Sequence, residues 1–238
     1  MTYNVHSCTG MDGRVSPARI AQVIAYHRPD IVALQELDRA RKRTGGDHQA
    51  ELIAKELAMT FEFQAALSVK EEHYGDAILS RFPMRPLHLG RLPGFSNWKY
   101  YEPRGALWVE IDVDGKKIHV VNAHLSYWHR EGLIQANALL GPDWMGNPAC
   151  QNPMILCGDF NALPRSPICN RISRNLRDVQ LSVTGRQPFK TWWTFHPVGR
   201  IDHVFVGPQI KVLGVEVPKT YLERIASDHM PLVVDLQI

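Results

Sequence analysis

The alternation of hydrophobic and polar positions changes period several times along the chain, and each change marks an element. Residues 2–6 read as a short strand ending in Asn4-Val5-His6. A turn follows at Gly10-Met11-Asp12-Gly13, and Ser16-Pro17 then offers an N-cap with proline in the first helical turn. Ile20, Val23 and Ile24 share one helical face, which must stop before Pro29. Ile31-Val32-Ala33-Leu34 is a buried strand with Gln35-Glu36 at its end. Strand, helix, strand in this order predicts two parallel neighbours. Asn4 and Glu36 then fall at the same C-terminal sheet edge, where sites in α/β sheets are usually built.

Gly45-Gly46 breaks the chain, and Asp47 is placed to cap a helix through Leu57. Strands are predicted over residues 60–66 and 76–80. The segment 91–104 has no clean period and carries Phe95, Trp98, Tyr100 and Tyr101, which marks it as a functional loop. Residues 105–113 and 117–125 alternate around Asp114-Gly115, a hairpin signal, and the second run ends in Asn122-Ala123-His124. A helix from about residue 129 to 140 has Leu133, Ala136, Leu139 and Leu140 as its apolar stripe. Ile155-Leu156-Cys157 is a short buried strand ended by Gly158, and Asp159 and Asn161 follow on one side at period two. Ser166-Pro167 opens a short helix to about Asn175, and strands follow over 200–206, 211–217 and 231–238. Without an internal linker or repeat, residues 1–238 are read as one domain.

Composition changes the picture little. Of 238 residues 45% are apolar, ample for a core, and the formal charge of +3 excludes a polybasic chain. The densest basic run, Arg39 to Arg43, reads as a solvated loop. Cys8, Cys150, Cys157 and Cys169 follow neither a metal nor a disulfide spacing, so a reducing, cytoplasmic setting is expected. No apolar run reaches membrane-spanning length, and nothing signals a stable protein partner, so a monomer is expected.

The polar oddities recur at one kind of place. Asn4, Glu36, His124, Asp159, Asn161, Asp202 and the pair Asp228-His229 all lie at or beside a predicted strand end. Each has a plain reading as a turn, surface or core residue. One oxygen-rich site with two histidines accounts for all of them together. Hard cations such as magnesium take carboxylate, amide and water oxygens. Histidines beside such a site serve as acid, base or phosphate donor.

In chain order, Asn-Val-His, Gln-Glu, Asn-Ala-His-Leu, Gly-Asp-Phe-Asn-Ala, Arg-Ile-Asp-His and Ser-Asp-His-Met-Pro-Leu resemble the endonuclease/exonuclease/phosphatase superfamily. Deoxyribonuclease I, exonuclease III, inositol polyphosphate 5-phosphatases and bacterial sphingomyelinases belong to it. The resemblance runs from Asn4 to His229 and implies a four-layer α/β sandwich, two mixed β-sheets face to face with helices outside. It also implies roles. Glu36 would be the principal magnesium ligand, with Asn4 and Asp228 near the ion, and manganese or calcium could substitute. Asp159 would orient or deprotonate the attacking water, and Asn161 would hold the water or a phosphate oxygen. His229, held by Asp202, would contact the scissile phosphate from one side and His124 from the other. Arg104 and Tyr101 lie where the family places substrate contacts.

Two positions depart from the usual pattern. Gly75-Asp76-Ala77 has an acid where many members have asparagine, which resembles the deoxyribonuclease I arrangement. Asp76 is therefore expected to pair with His124 from an antiparallel neighbouring strand and to favour the charged ring. His203 stands where many members have tyrosine, and it is expected to face the sheet rather than the site. The superfamily divides among nucleases, sugar-phosphate phosphatases and phospholipid phosphodiesterases. The near-neutral charge and the rings of Phe95, Trp98, Tyr100, Tyr101, Trp192, Trp193 and Phe195 favour a phospholipid head group or other small phosphodiester. DNA or RNA stacked on those rings is the alternative. An inactive binding module on the same fold is disfavoured, because no acid or histidine of the set is missing.

Overall fold

The computed structural model describes residues 1–95, 102–183 and 187–238. The strands are β1 (Thr2–Asn4), β2 (Ile31–Arg39), β3 (Thr60–Val69), β4 (Glu72–Ser80), β5 (Met84–Arg91), β6 (Gly105–Val113), β7 (Lys116–Ala123), β8 (Met154–Asp159), β9 (Arg177–Asp178), β10 (Asp202–Val206), β11 (Lys211–Glu216) and β12 (Val233–Gln237). The helices are α1 (Pro17–His27), α2 (Gln49–Leu57), α3 (His129–Leu139), α4 (Pro167–Ile172), α5 (Val179–Ser182) and α6 (Tyr221–Ala226). One sheet has the order β1-β2-β4-β3, a second β5-β6-β7-β8-β10-β9, and β11 and β12 form a small third. Both large sheets are mixed. β1 runs parallel to β2 and β7 parallel to β8, while the other pairings are antiparallel.

Three apolar clusters define the layers. Ile20, Val23 and Ile24 of α1 and Ile53 and Leu57 of α2 pack on Leu34 and Leu37 of the first sheet. Ala136 and Leu139 of α3 and Ile168 and Ile172 of α4 pack on Trp108, Val121 and Leu156 of the second. Between the sheets, Ala33 and Ile78 meet Leu107, Val109, Val120 and Cys157. Helices therefore cover the two outer faces, and the inner faces close on each other, the expected four layers. A polar pin crosses this inner layer. Asn122 Nδ2 donates to the carbonyls of Leu34 and Ala77 (2.9 Å each), and Gln35 Nε2 donates to Asn122 Oδ1 (2.7 Å). All of these groups are fully buried, so each needs its partner to be there at all.

The Ser16 cap, the α1 boundary before Pro29 and the 105–123 hairpin agree with the sequence reading. Strand β5 does not appear in that reading. Pro86 and Gly90 interrupt its pattern, and it is an edge strand with a bulge between Pro86 and His88, where a missing N–H does little harm. Gly158 does not end β8 but lies inside it, at φ +137°. A Cβ there would stand 1.9 Å from the carbonyl oxygen of Ala123. The neighbouring pair His119 to Asn122 against Met154 to Cys157 holds the two strands that carry His124 and Asp159. Gly158→Ala should therefore cost about 2–3 kcal/mol or more and lower the thermal midpoint by at least about 5 °C. A scanning-calorimetry midpoint equal to wild type would show that the strands can separate freely here.

Candidate active site

The two sheets present their polar strand ends at one mouth. Asn4 closes β1, and its Nδ2 donates to Glu36 Oε1 (2.9 Å) and to Asp159 Oδ2 (3.0 Å). Its Oδ1 accepts the His6 N–H (3.1 Å). One amide thus joins an acid of the first sheet to an acid of the second. Glu36 sits on a bulge of β2 between Leu34 and Leu37, at φ +63°, and Asn161 has φ +48°. Left-handed backbone at non-glycine residues is costly and clusters at sites of function. At Glu36 the bulge re-aims the side chain towards the mouth.

Asp159 Oδ2 is the hub. Besides Asn4, it lies 3.6 Å from His124 Nε2 and 3.7 Å from His229 Nε2. His229 Nδ1 is 2.9 Å from Asp202 Oδ2, and Asp202 is the direct cross-strand partner of Asp159. Asp159 and His229 therefore face each other across the cleft, 70 residues apart in sequence. Asn161 donates its backbone N–H to Asp159 Oδ1 (2.9 Å) and its Nδ2 to the Leu125 carbonyl (3.0 Å), with His124 Nε2 at 3.2 Å. Asp228 is more exposed, with Oδ1 3.8 Å from His6 Nδ1. Ser227, which the sequence reading passed over, ties this corner together. Its hydroxyl donates to the Asn4 carbonyl (2.8 Å) and accepts the His229 N–H (3.2 Å).

The two histidines differ in charge. Burial alone would lower the pKa of His229, but Asp202 and Asp159 outweigh it and hold the ring well above the ordinary imidazole range. His124 is driven well below that range by burial, with the Arg104 guanidinium and His229 adding to it. Arg104 Nη1 stands 3.0 Å from His124 Nδ1. A guanidinium can only donate, so Nδ1 accepts and the ring is neutral with its proton on Nε2.

This corrects the expected pairing of Asp76 with His124. Asp76 lies on β4 opposite Gln64 of the first sheet, whereas His124 follows β7 of the second. They are in opposed sheets rather than neighbouring strands. Asp76 Oδ1 accepts the Glu36 backbone N–H (3.3 Å), and the side chain is buried. It supports the bulge under Glu36 and does not charge His124. Tyr101, Trp98 and Tyr100 lie outside the described residues. His203 does face away from the mouth. It is buried against Phe160 and Phe205 and donates Nε2–H to the Ala162 carbonyl (2.8 Å).

Among the described residues, two groups of side chains fit a cation. Glu36, His124 and Asp159 bring one ligand atom each within 4.8 Å of one another, as do Asp159, Asp202 and His229. Burial and the facing Asp202 raise the pKa of Asp159, and a charged His229 only partly offsets them. A carboxyl held up in this way gains from a positive charge placed beside it. Glu36 is half-buried at the mouth and open enough to take such a charge.

A model of the endonuclease/exonuclease/phosphatase family matches residues 1–229. The chain belongs to this family, whose members are generally phosphoester hydrolases, and the sandwich and the strand-end site are its own expression of that fold. It is 25% identical to YbhP of Escherichia coli K12 over all of this chain and 95% of that protein. Among solved structures, a family protein of Beutenbergia cavernae is similar at TM-score 0.74 and 25% identity, over 100% of this chain and 70% of that one. A mannosyl-6-phosphatase of Bacteroides thetaiotaomicron shares the fold at TM-score 0.79 and 21% identity, over 100% and 98% of the two chains.

Burial pushes the Asp76 carboxyl up to about 8. The unfolded chain ionises near 3.9, so folding keeps a proton that the unfolded state releases. Stability from this group is present at low pH and is lost as pH rises through about 8. Wild-type protein without added metal should therefore lose at least about 3 °C more of its thermal midpoint between pH 6 and pH 9 than Asp76→Asn does, a difference of ~1 kcal/mol for a chain this long. Parallel midpoint curves for the two proteins would remove the buried proton from Asp76.

Proposed function

We propose that this protein is a divalent-cation-dependent phosphodiesterase that hydrolyses a phospholipid head group or other small phosphodiester. Magnesium is the expected ion, with manganese or calcium able to substitute. The observation that carries the reading is the position of Asp159 Oδ2, within 3.7 Å of Asn4, His124 and His229 at once. Phosphoryl transfer needs charge neutralised on the phosphate oxygens and a water held in line, more than covalent help. Glu36, with Asn4 and Asp228 beside it, would hold the ion, which when bound neutralises phosphate charge. Asp159 takes the proton of the attacking water, and Asn161 orients it. Charged His229 faces one phosphate oxygen, with Asp202 fixing its ring. Neutral His124 offers Nε2–H to another, with Arg104 fixing its tautomer. The enzyme is read as one domain acting as a cytoplasmic monomer. Among the described residues no helix is long and apolar enough to cross a membrane.

One observation favours a second reading. Trp192, Trp193 and Phe195 are exposed beside the site, where Thr194 N donates to the Asp228 carbonyl (3.1 Å). Such rings could stack on the bases of single-stranded DNA or RNA. A panel of phospholipids, glycerophosphodiesters, a sugar phosphate, single-stranded DNA and RNA separates the two.

Bis-p-nitrophenyl phosphate should be hydrolysed with magnesium and spared with EDTA. Asp159→Asn and His229→Ala should each reduce kcat by about 100-fold or more, the scale of losing a general base or a charged phosphate partner. Glu36→Gln should raise the magnesium concentration needed for half-maximal rate. Full activity in EDTA, or an Asp159→Asn variant within twofold of wild type, would refute the mechanism.

A further inference from the structure

The mouth of the site has an apolar rim that the proposed hydrolysis does not call on. Three segments form it, and all meet the second sheet at one end. β7 and β8 run parallel, so the turns that follow them, with Tyr127 and Leu163, emerge together. β10 runs antiparallel to β8, so the loop leading into it, residues 188–199, arrives at the same end. Within that loop Trp192 forms a β-bridge with His229.

Ring and aliphatic side chains stand out from all three segments. Tyr127 is 55% exposed, Leu163 56%, Trp193 41% and Phe195 47%, with Trp128, Trp192 and Val198 exposed beside them. Among the described residues, every exposed tryptophan belongs to this rim, whereas Trp108 and Trp144 are buried. Single apolar side chains in water are ordinary, but a cluster around one opening marks a surface that meets a partner.

The rings of the 188–199 loop are held outward. Thr191 and Thr194 between them are buried and bonded. The Thr191 carbonyl accepts the Met230 N–H (2.8 Å), and its hydroxyl accepts the Asp202 N–H (3.3 Å). Thr194 donates its N–H to the Asp228 carbonyl and its hydroxyl to the Ser227 carbonyl (2.8 Å). The loop is thus tied to the segment that carries His229. Turning Trp193 and Phe195 inward would break these buried bonds, which is costly.

Charge selects the partner. The stretches 127–130, 163–165 and 188–198 carry His129, Arg130, Arg165, Lys190 and His196 and no acid. From residue 179 to 201 the sequence has no Asp or Glu at all. A rim of rings and aliphatic tips edged with cations complements an anionic bilayer. Trp and Tyr settle at headgroup depth, aliphatic tips reach the acyl boundary, and Lys and Arg meet the lipid charge. Single-stranded nucleic acid would also take the rings and the cations, but Leu163 and Val198 have no π face on which a base could stack.

We propose that this rim is a docking surface for an anionic phospholipid bilayer. Docked there, the protein lies on the membrane with its mouth against the headgroups. The docking goes beyond the phosphodiesterase reading and stands or falls without it, because binding is measured apart from turnover.

The test is sedimentation with unilamellar vesicles, one set of phosphatidylcholine alone and one equimolar in phosphatidylcholine and phosphatidylglycerol. Wild-type protein should bind the anionic vesicles at least about tenfold more tightly, the scale of a few basic residues at a charged surface. Trp193→Ala combined with Phe195→Ala should weaken that binding about tenfold or more, because two rings lose their place in the interface. Arg165→Glu combined with Lys190→Glu leaves the rings in place and should weaken it by a similar factor. No binding to either vesicle, equal binding to both, or anionic binding unchanged in either double variant overturns the docking. Should the ring variant fail to fold, the charge variant decides alone. A dT oligomer bound by wild type and lost by the ring variant, with the anionic vesicles left unbound, gives the rim to single-stranded nucleic acid and also overturns the docking.

Discussion

The side-chain amide of Asn4 holds together what electrostatics would push apart. Glu36 belongs to one sheet and Asp159 to the other, and both accept from the same nitrogen. Asp202 and Asp76 stand close behind them, both buried. Carboxylates crowded out of water resist ionising, and they repel one another where they do. The structure meets this with a fixed set of donors: the Asn4 amide, the backbone N–H groups of Asn161 and Glu36, and the His229 ring. Each donor is anchored elsewhere, Asn4 through Ser227 and the two sheets through Asn122 and Gln35. Two residues that point into the mouth, Glu36 and Asn161, are held in left-handed backbone.

The same mouth turns one residue type to two uses. His229 has a carboxylate at Nδ1 and is charged, whereas His124 has a guanidinium at Nδ1 and is neutral. The difference lies in the surroundings: Asp202 and Asp159 outweigh burial at His229, whereas burial, Arg104 and His229 act together on His124, so one ring offers charge and the other a directed N–H. Pairs of titratable groups whose surroundings push their pKa values apart are the usual mark of divided acid–base duty. Arg104 has a second consequence. Besides holding His124 from behind, its side chain lines a neighbouring cavity.

The local code was strong wherever period and punctuation agreed. Ser16-Pro17, Pro29 and Asp114-Gly115 marked element ends, and the apolar runs at 31–34 and 155–157 marked the central strands. Polar residues that recur at strand ends are a poor choice for core packing, and together with the motif order this let Asn4, Glu36, His124, Asp159, Asn161, Asp202 and His229 be read as one site before any contact was known. Strand β5 escaped because edge strands tolerate the proline and glycine that signal breaks in a pattern. The bulge that aims Glu36 escaped because no residue type marks it.

What tertiary structure alone decided is which side chain meets which. Asp76 and His124 each stood at a strand end, and strand-end logic paired them. The chain instead sends their strands into opposed sheets, which gives Asp76 to the Glu36 backbone and His124 to Arg104. Protonation states follow from those partners, so the charge on each histidine was beyond the reach of sequence. Glu131 makes the same point. Along the chain it is an ordinary first-turn acid of an amphipathic helix, favoured there by the helix dipole. Only the packing of β3, β5 and α3 around it turns it into a buried carboxylate with an oxygen to spare. The sequence by itself determined the elements and the inventory of chemical groups, because these depend on local period and residue type. Pairings between groups distant along the chain depend on sheet order and register, which no local pattern encodes.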